Sequence, residues 1–176
     1  MSIDLYTRVV GGGAAAQFHT KLGPGWTFIN ATKNMCIISQ VPTDRSGQVM
    51  TLTIGGNDLI TKHPFYLKEG MHHFKAHHLN LLQVLRRHNP DACLLVANIY
   101  APQRPLPPRL RDGLNHANDL IADNVHQVRG TLIDVYSAFE GRQDTLLCSN
   151  IEPTLAGATV LAHLFHRAWS TPHPNT

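Results

Sequence analysis

The chain has 176 residues, 43% hydrophobic and 15% charged, with a net charge of +3. That length suits one domain with one sizeable core, and that composition excludes a disordered chain and a membrane span. Lys and Arg are scattered, apart from Arg104, Arg109 and Arg111 around a Pro-rich loop, so no nucleic-acid-binding stripe forms. Met1 to Tyr6 carries neither a basic n-region nor a long apolar h-region, so no signal peptide is expected. Cys36, Cys93 and Cys148 show no metal-type spacing, and their odd number points to a reducing compartment, the cytoplasm.

Strand-like and helix-like segments alternate along the chain. Ile3 to Val10 is β-branched and aromatic enough for a strand, which Gly11-Gly12-Gly13 ends. Ala14 to Leu22 predicts a short helix stopped by Gly23-Pro24-Gly25. Trp26 to Ile29 predicts a second strand, and Val49 to Ile54 a third that stops at Gly55-Gly56. Met71, Phe74, His78, Leu81, Leu82 and Leu85 share one face of a helix running to about His88, where Asn89-Pro90 stops it. Ala92 to Ile99 is a continuous apolar run, the pattern of a central parallel strand. Tyr100 to Pro108 is a proline-rich loop. Leu110, Leu114, Ala117, Ile121 and Val125 mark another helix, Thr131 to Val135 the last strand, and Val160, Leu161, Leu164, Phe165 and Ala168 the last helix. Together these predict a three-layer α/β/α sandwich on a five-stranded parallel sheet, one domain over residues 1–170, and a loose tail over 171–176.

In such a fold, ligands bind beyond the carboxyl ends of the strands. Gly11-Gly12-Gly13 and Gly55-Gly56-Asn57-Asp58 occupy two such ends, and Cys148 to Gly157 would reach the same rim. The Asn57 amide suits stabilisation of developing negative charge, and equally suits a structural tie to a loop. The three glycines could cradle a phosphate through backbone N–H groups, but they lack the lysine of a P-loop. A tight strand-to-helix turn is the simpler reading. His73 and His77, four apart on one helical edge, form a weak candidate metal pair without a third ligand, so no metal or other cofactor is expected.

Asn30-Ala31-Thr32, Thr51 to Leu59 and Ile151 to Gly157 fall in an order that resembles the SGNH/GDSL hydrolases. Asn89-Pro90-Asp91 and Asp134 to Phe139 fit the same pattern, so the similarity covers nearly the whole chain. The resemblance implies a flavodoxin-like sandwich that cleaves esters, acetyl groups or lipids with a Ser-His-Asp triad. Carried over by position, it places Gly13 where the nucleophile should be, Ser149 where the Asp should be and Glu152 where the His should be. Asn57 retains the oxyanion-type amide, and the family's other oxyanion glycine falls near Met35. A register that deletes the first strand also leaves no serine; the register with Gly13 keeps the sheet complete. The resemblance therefore implies a catalytically silent protein. Its former cleft, lined by Gly11, Gly12, Gly13, Gly56, Asn57 and Glu152, would take a small ester-like, acyl or carbohydrate ligand, or a protein partner. Alternatives are an esterase with a displaced nucleophile (Ser149, Cys148 or Cys36) and a structural paralogue with no ligand site.

Overall fold

The computed structural model describes residues 6–31, 33 and 35–171. They divide into two compact units, one of residues up to 30, 100–106 and from 133 onwards, the other of residues 31–99 and 107–132.

The second unit carries a three-stranded sheet in the order β1 (Val49–Leu52), β2 (Cys93–Ala97), β3 (Thr131–Ile133), with β1 parallel to β2. The apolar run of β2 is its centre, and Leu94 to Ala97 are buried. Three helices accompany the sheet: α2 (Gly56–Glu69), α3 (His72–His88) and α4 (Pro108–Gln127). Phe74, His78, Leu81, Leu82 and Leu85 are the buried stripe of α3, as their spacing predicts. Leu114, Ala117, Ile121 and Val125 are that of α4. Pro108 opens α4, where a missing N–H costs nothing. Asn89 closes α3, its Nδ2 donating to the Leu85 carbonyl at 3.1 Å and to Arg45 at 3.0 Å.

Arg86 fastens this end of the unit. Its Nε donates to the Val128 carbonyl at 2.9 Å, its Nη1 to Ala92 at 2.7 Å and Pro90 at 3.1 Å, and its Nη2 to Arg129 at 3.0 Å. One planar guanidinium thus satisfies carbonyls left over where α3 and α4 end.

The first unit holds α1 (Ala14–Leu22), α5 (Val135–Phe139), α6 (Gln143–Leu146), the hairpin β4 (Leu147–Cys148) and β5 (Glu152–Pro153), and α7 (Leu155–Ser170). α1 packs along α7, with Phe18 against Phe165 at a ring separation of 6.0 Å. Thr154 caps α7 by accepting from the Gly157 N–H at 3.2 Å. A Cβ at Gly157 would overlap the Leu146 carbonyl oxygen, so glycine lets the first turn of α7 close onto the end of α6.

Two expectations need correction. Among the described residues the sheet has three strands with a separate two-stranded hairpin, in place of five parallel strands. Residues 6–9 form turns and a bend, Val10 makes an isolated β-bridge, Val9 and Val10 are exposed, and Trp26 to Ile29 is irregular, with Ile29 59% exposed. β-branched residues favour a strand only when a neighbour completes the ladder and covers one face. Among the described residues neither segment extends a ladder beyond the single bridge at Val10. Residues 1–5 and 172–176, and so the first three residues of the predicted first strand and nearly all of the tail, lie outside the described residues.

Candidate functional site

The predicted site residues fall in both units: Gly11, Gly12, Gly13, Ser149 and Glu152 in the first, Gly56 and Asn57 in the second.

In the second unit, β1 ends before Gly55, whose φ of 105° only glycine adopts readily. A Cβ there would also press Phe74 at 3.1 Å. This turn starts α2 at Gly56 and sets Asn57 and Asp58 in its first turn. Asn57 Nδ2 donates to the Cys36 carbonyl at 3.0 Å, which ties the preceding loop to the helix. An amide nitrogen carries two hydrogens, so one such bond leaves a second donor. Asp58 is buried, and its carboxylate accepts from the Ile38 N–H at 2.9 Å. Burial, with Asp58 nearby, pushes the Tyr66 phenol up. Burial also pushes the Cys36 thiol up, against the pull of Lys33 and with the aid of Asp58, so Cys36 is a poor thiolate nucleophile.

In the first unit, Gly13 is the N-cap of α1, with φ −65° and ψ 150°. Gly12 is buried, and a Cβ there would overlap the Thr7 hydroxyl. Its N–H donates to the Val9 carbonyl at 3.0 Å, and its own carbonyl accepts from Gln17 Nε2 at 2.6 Å. The glycine run is therefore a tight turn with one of its three N–H groups already used.

Ser149 sits at the tip of the β4–β5 hairpin, where Cys148 pairs with Glu152. Ser149 and Asn150 both have left-handed backbone, with φ 48° and 75°. The Pro-rich loop holds this turn in place. Gln103 N donates to the Asn150 carbonyl at 2.9 Å, Gln103 Oε1 accepts from Asn150 N at 3.0 Å, and Arg104 N donates to Asn150 Oδ1 at 2.9 Å. Tyr100 donates its hydroxyl to the Ile151 carbonyl at 2.7 Å and stacks on Phe139. Burial, then Glu152 and Cys148, raise the Tyr100 phenol, so this hydroxyl stays protonated. A cavity of about 510 Å³ lies beside the turn, lined by Tyr6, Arg8, Cys148, Ser149 and Thr154. Sequence reasoning named Cys148 and Ser149 but missed Tyr6, Arg8 and Asp58. The only signal for Asp58 was its place after Asn57 in the glycine-bounded turn, and Arg8 had none.

His73 packs against Phe65 at a ring separation of 5.1 Å and against His72 at 4.1 Å. Among the described residues, no group of three or more His, Cys, Asp or Glu side chains could hold a metal ion. No helix among them is long and apolar enough to cross a membrane.

No family model matches the chain, and no curated protein does. Solved structures do. An acetylxylan esterase from Geobacillus stearothermophilus superposes with a TM-score of 0.73 at 14% identity, over 96% of this chain and 84% of its own. The lipase Lip_vut3 from a goat rumen metagenome gives 0.70 at 18% identity, over 89% and 87%. A protein named as a GDSL-like lipase from Parabacteroides merdae gives 0.58 at 12% identity, over 74% and 62%. The chain has an SGNH/GDSL hydrolase fold. At these identities the likeness speaks for the fold alone, and the residues at the SGNH/GDSL positions must argue the chemistry.

Proposed function

We propose that this SGNH/GDSL-fold protein is catalytically silent and that its former cleft binds a small ester-like, acyl or carbohydrate ligand. One observation carries the reading. The resemblance in sequence sets Gly13, at the N-cap of α1, and Ser149 and Glu152, on the β4–β5 hairpin, against the Ser, Asp and His of an SGNH/GDSL triad. Glycine supplies no nucleophile. A carboxylate is a weak base toward a hydroxyl at neutral pH, and with no serine opposite it has nothing to activate. The bond from Asn57 to Cys36 gives that amide a structural role independent of catalysis. Among the described residues Cys36, Cys93 and Cys148 form no disulfide, which favours a reducing compartment such as the cytoplasm.

The test restores the chemistry with Gly13→Ser, Ser149→Asp and Glu152→His together. Hydrolysis of short-chain nitrophenyl esters by the triple variant, absent from the parent, supports both the register and the silence. A folded triple variant without turnover contradicts the assignment of these positions.

A second reading, an esterase with a displaced nucleophile, has one observation in its favour: Cys148 and Ser149 line the same cavity. It predicts parental turnover that Ser149→Ala or Cys148→Ala abolishes.

A further inference from the structure

We infer that the cavity beside the β4–β5 turn binds a small organic carboxylate, with Arg8 as its charge partner. This goes beyond the silent-enzyme reading, which neither requires a charged ligand nor involves Arg8.

The cavity, about 510 Å³, is in the range of sites for small organic molecules. Its described lining is one guanidinium, one phenol, two hydroxyls and a thiol, with no carboxylate. Arg8 is exposed and has no ion-pair partner among the described residues. A guanidinium presents parallel N–H donors that match the two oxygens of a carboxylate. The Ser149 hydroxyl is a further donor on the same wall. Thr154 serves as wall only, since its hydroxyl already donates to the Thr145 carbonyl at 3.0 Å and accepts from Gly157. The Tyr6 ring offers a face for the apolar body of the ligand. Glu152 pairs across from Cys148 on the hairpin and is not among the described lining residues.

The walls are preorganised. Arg8 has φ 57° and Ser149 φ 48°, left-handed backbone that a non-glycine residue adopts only where its surroundings impose it. Both strained residues face one cavity, and Gln103 and Arg104 hold the Ser149–Asn150 turn from behind. A fixed wall avoids the ordering cost that a mobile loop incurs on binding. A single cation suits a monocarboxylate better than a phosphate, whose second charge would go unmatched.

Titration of the full chain with benzoate, benzamide and inorganic phosphate, followed by calorimetry or amide chemical shifts, tests this. Benzoate should bind saturably, with benzamide and phosphate each at least ~10-fold weaker. Arg8→Gln should weaken benzoate at least ~10-fold, and Arg8→Lys by less, since it keeps charge but loses the fork. Equal affinity for benzamide, tighter binding of phosphate, no saturable benzoate binding, or a folded Arg8→Gln variant that binds as the parent does would each overturn the inference. Should Arg8→Gln fail to fold, the benzoate–benzamide contrast on the parent decides. Failure here leaves the silent reading intact, because that reading is judged on ester turnover alone.

Discussion

Asn57 donates its side-chain amide to the carbonyl of Cys36, 21 residues earlier, at 3.0 Å. The residue that most resembles an oxyanion donor therefore also holds a loop onto the start of α2. Removing it should cost stability whether or not any chemistry survives. Asn57→Ala should lower the unfolding free energy by about 1 kcal/mol. Asn57→Asp should cost more, because a carboxylate oxygen would then face the Cys36 carbonyl. Urea denaturation of the two variants checks both the size and the order.

Arg86 predicts a larger loss. Its guanidinium reaches carbonyls on Val128, Arg129, Pro90 and Ala92, so Arg86→Met strands several acceptors at once. A loss of about 2–4 kcal/mol is expected. Arg86→Lys should recover little of it, since an ammonium cannot span the same set. Denaturant midpoints of the three proteins test the ordering.

His78 makes stability depend on pH. It is fully buried on α3, stacked on Phe74, with Nδ1 3.3 Å from Asn124 Nδ2. The Asn124 amide donates, so the ring is neutral with its proton on Nε2. Lys75, three residues before His78 on α3, pairs with Asp123 on α4 at 3.4 Å. Burial pushes the imidazole down from 6.5 to about 4. Between those values the unfolded chain binds the proton and the folded chain does not. Stability is therefore full above about pH 6.5 and falls as pH drops toward 4, by about 3 kcal/mol in total. Unfolding measured from pH 7 to 4 should show this slope, and His78→Gln should flatten it.

Gly157 tests the closure of α7 onto α6. A methyl there would meet the Leu146 carbonyl oxygen, a backbone atom that cannot swing away. Gly157→Ala should therefore destabilise by about 2 kcal/mol or more, despite alanine's better helix propensity. A thermal midpoint equal to or above that of the parent would contradict the packing.

Much of the fold was legible because its long elements carry periodic signals. The face of α3 from Phe74 to Leu85 and that of α4 from Leu114 to Val125 match the sequence spacing. The apolar run around Leu94 to Ala97 forms the central strand. Helix α2 was not anticipated, since His63-Pro64 falls in its middle, where proline usually breaks a helix. The β4–β5 hairpin is two residues a side, too short for any period to register. Val9 and Val10 misled, because their strand preference is local and a ladder is not.

The candidate site was legible only where backbone geometry demands a residue type. Gly55 announces its left-handed turn, and Gly157 its close approach. The cavity residues Tyr6 and Arg8 gave no such sign, because they meet Cys148 and Ser149 only through the tertiary fold.

If Gly13, Ser149 and Glu152 hold no working triad, no ester is hydrolysed there. The most direct test is the steady-state release of nitrophenol from nitrophenyl acetate by the purified parent chain, beside Asn57→Ala and Glu152→Ala. The account predicts a rate equal to the spontaneous background for all three proteins. Parental turnover above background that disappears in both variants would contradict it.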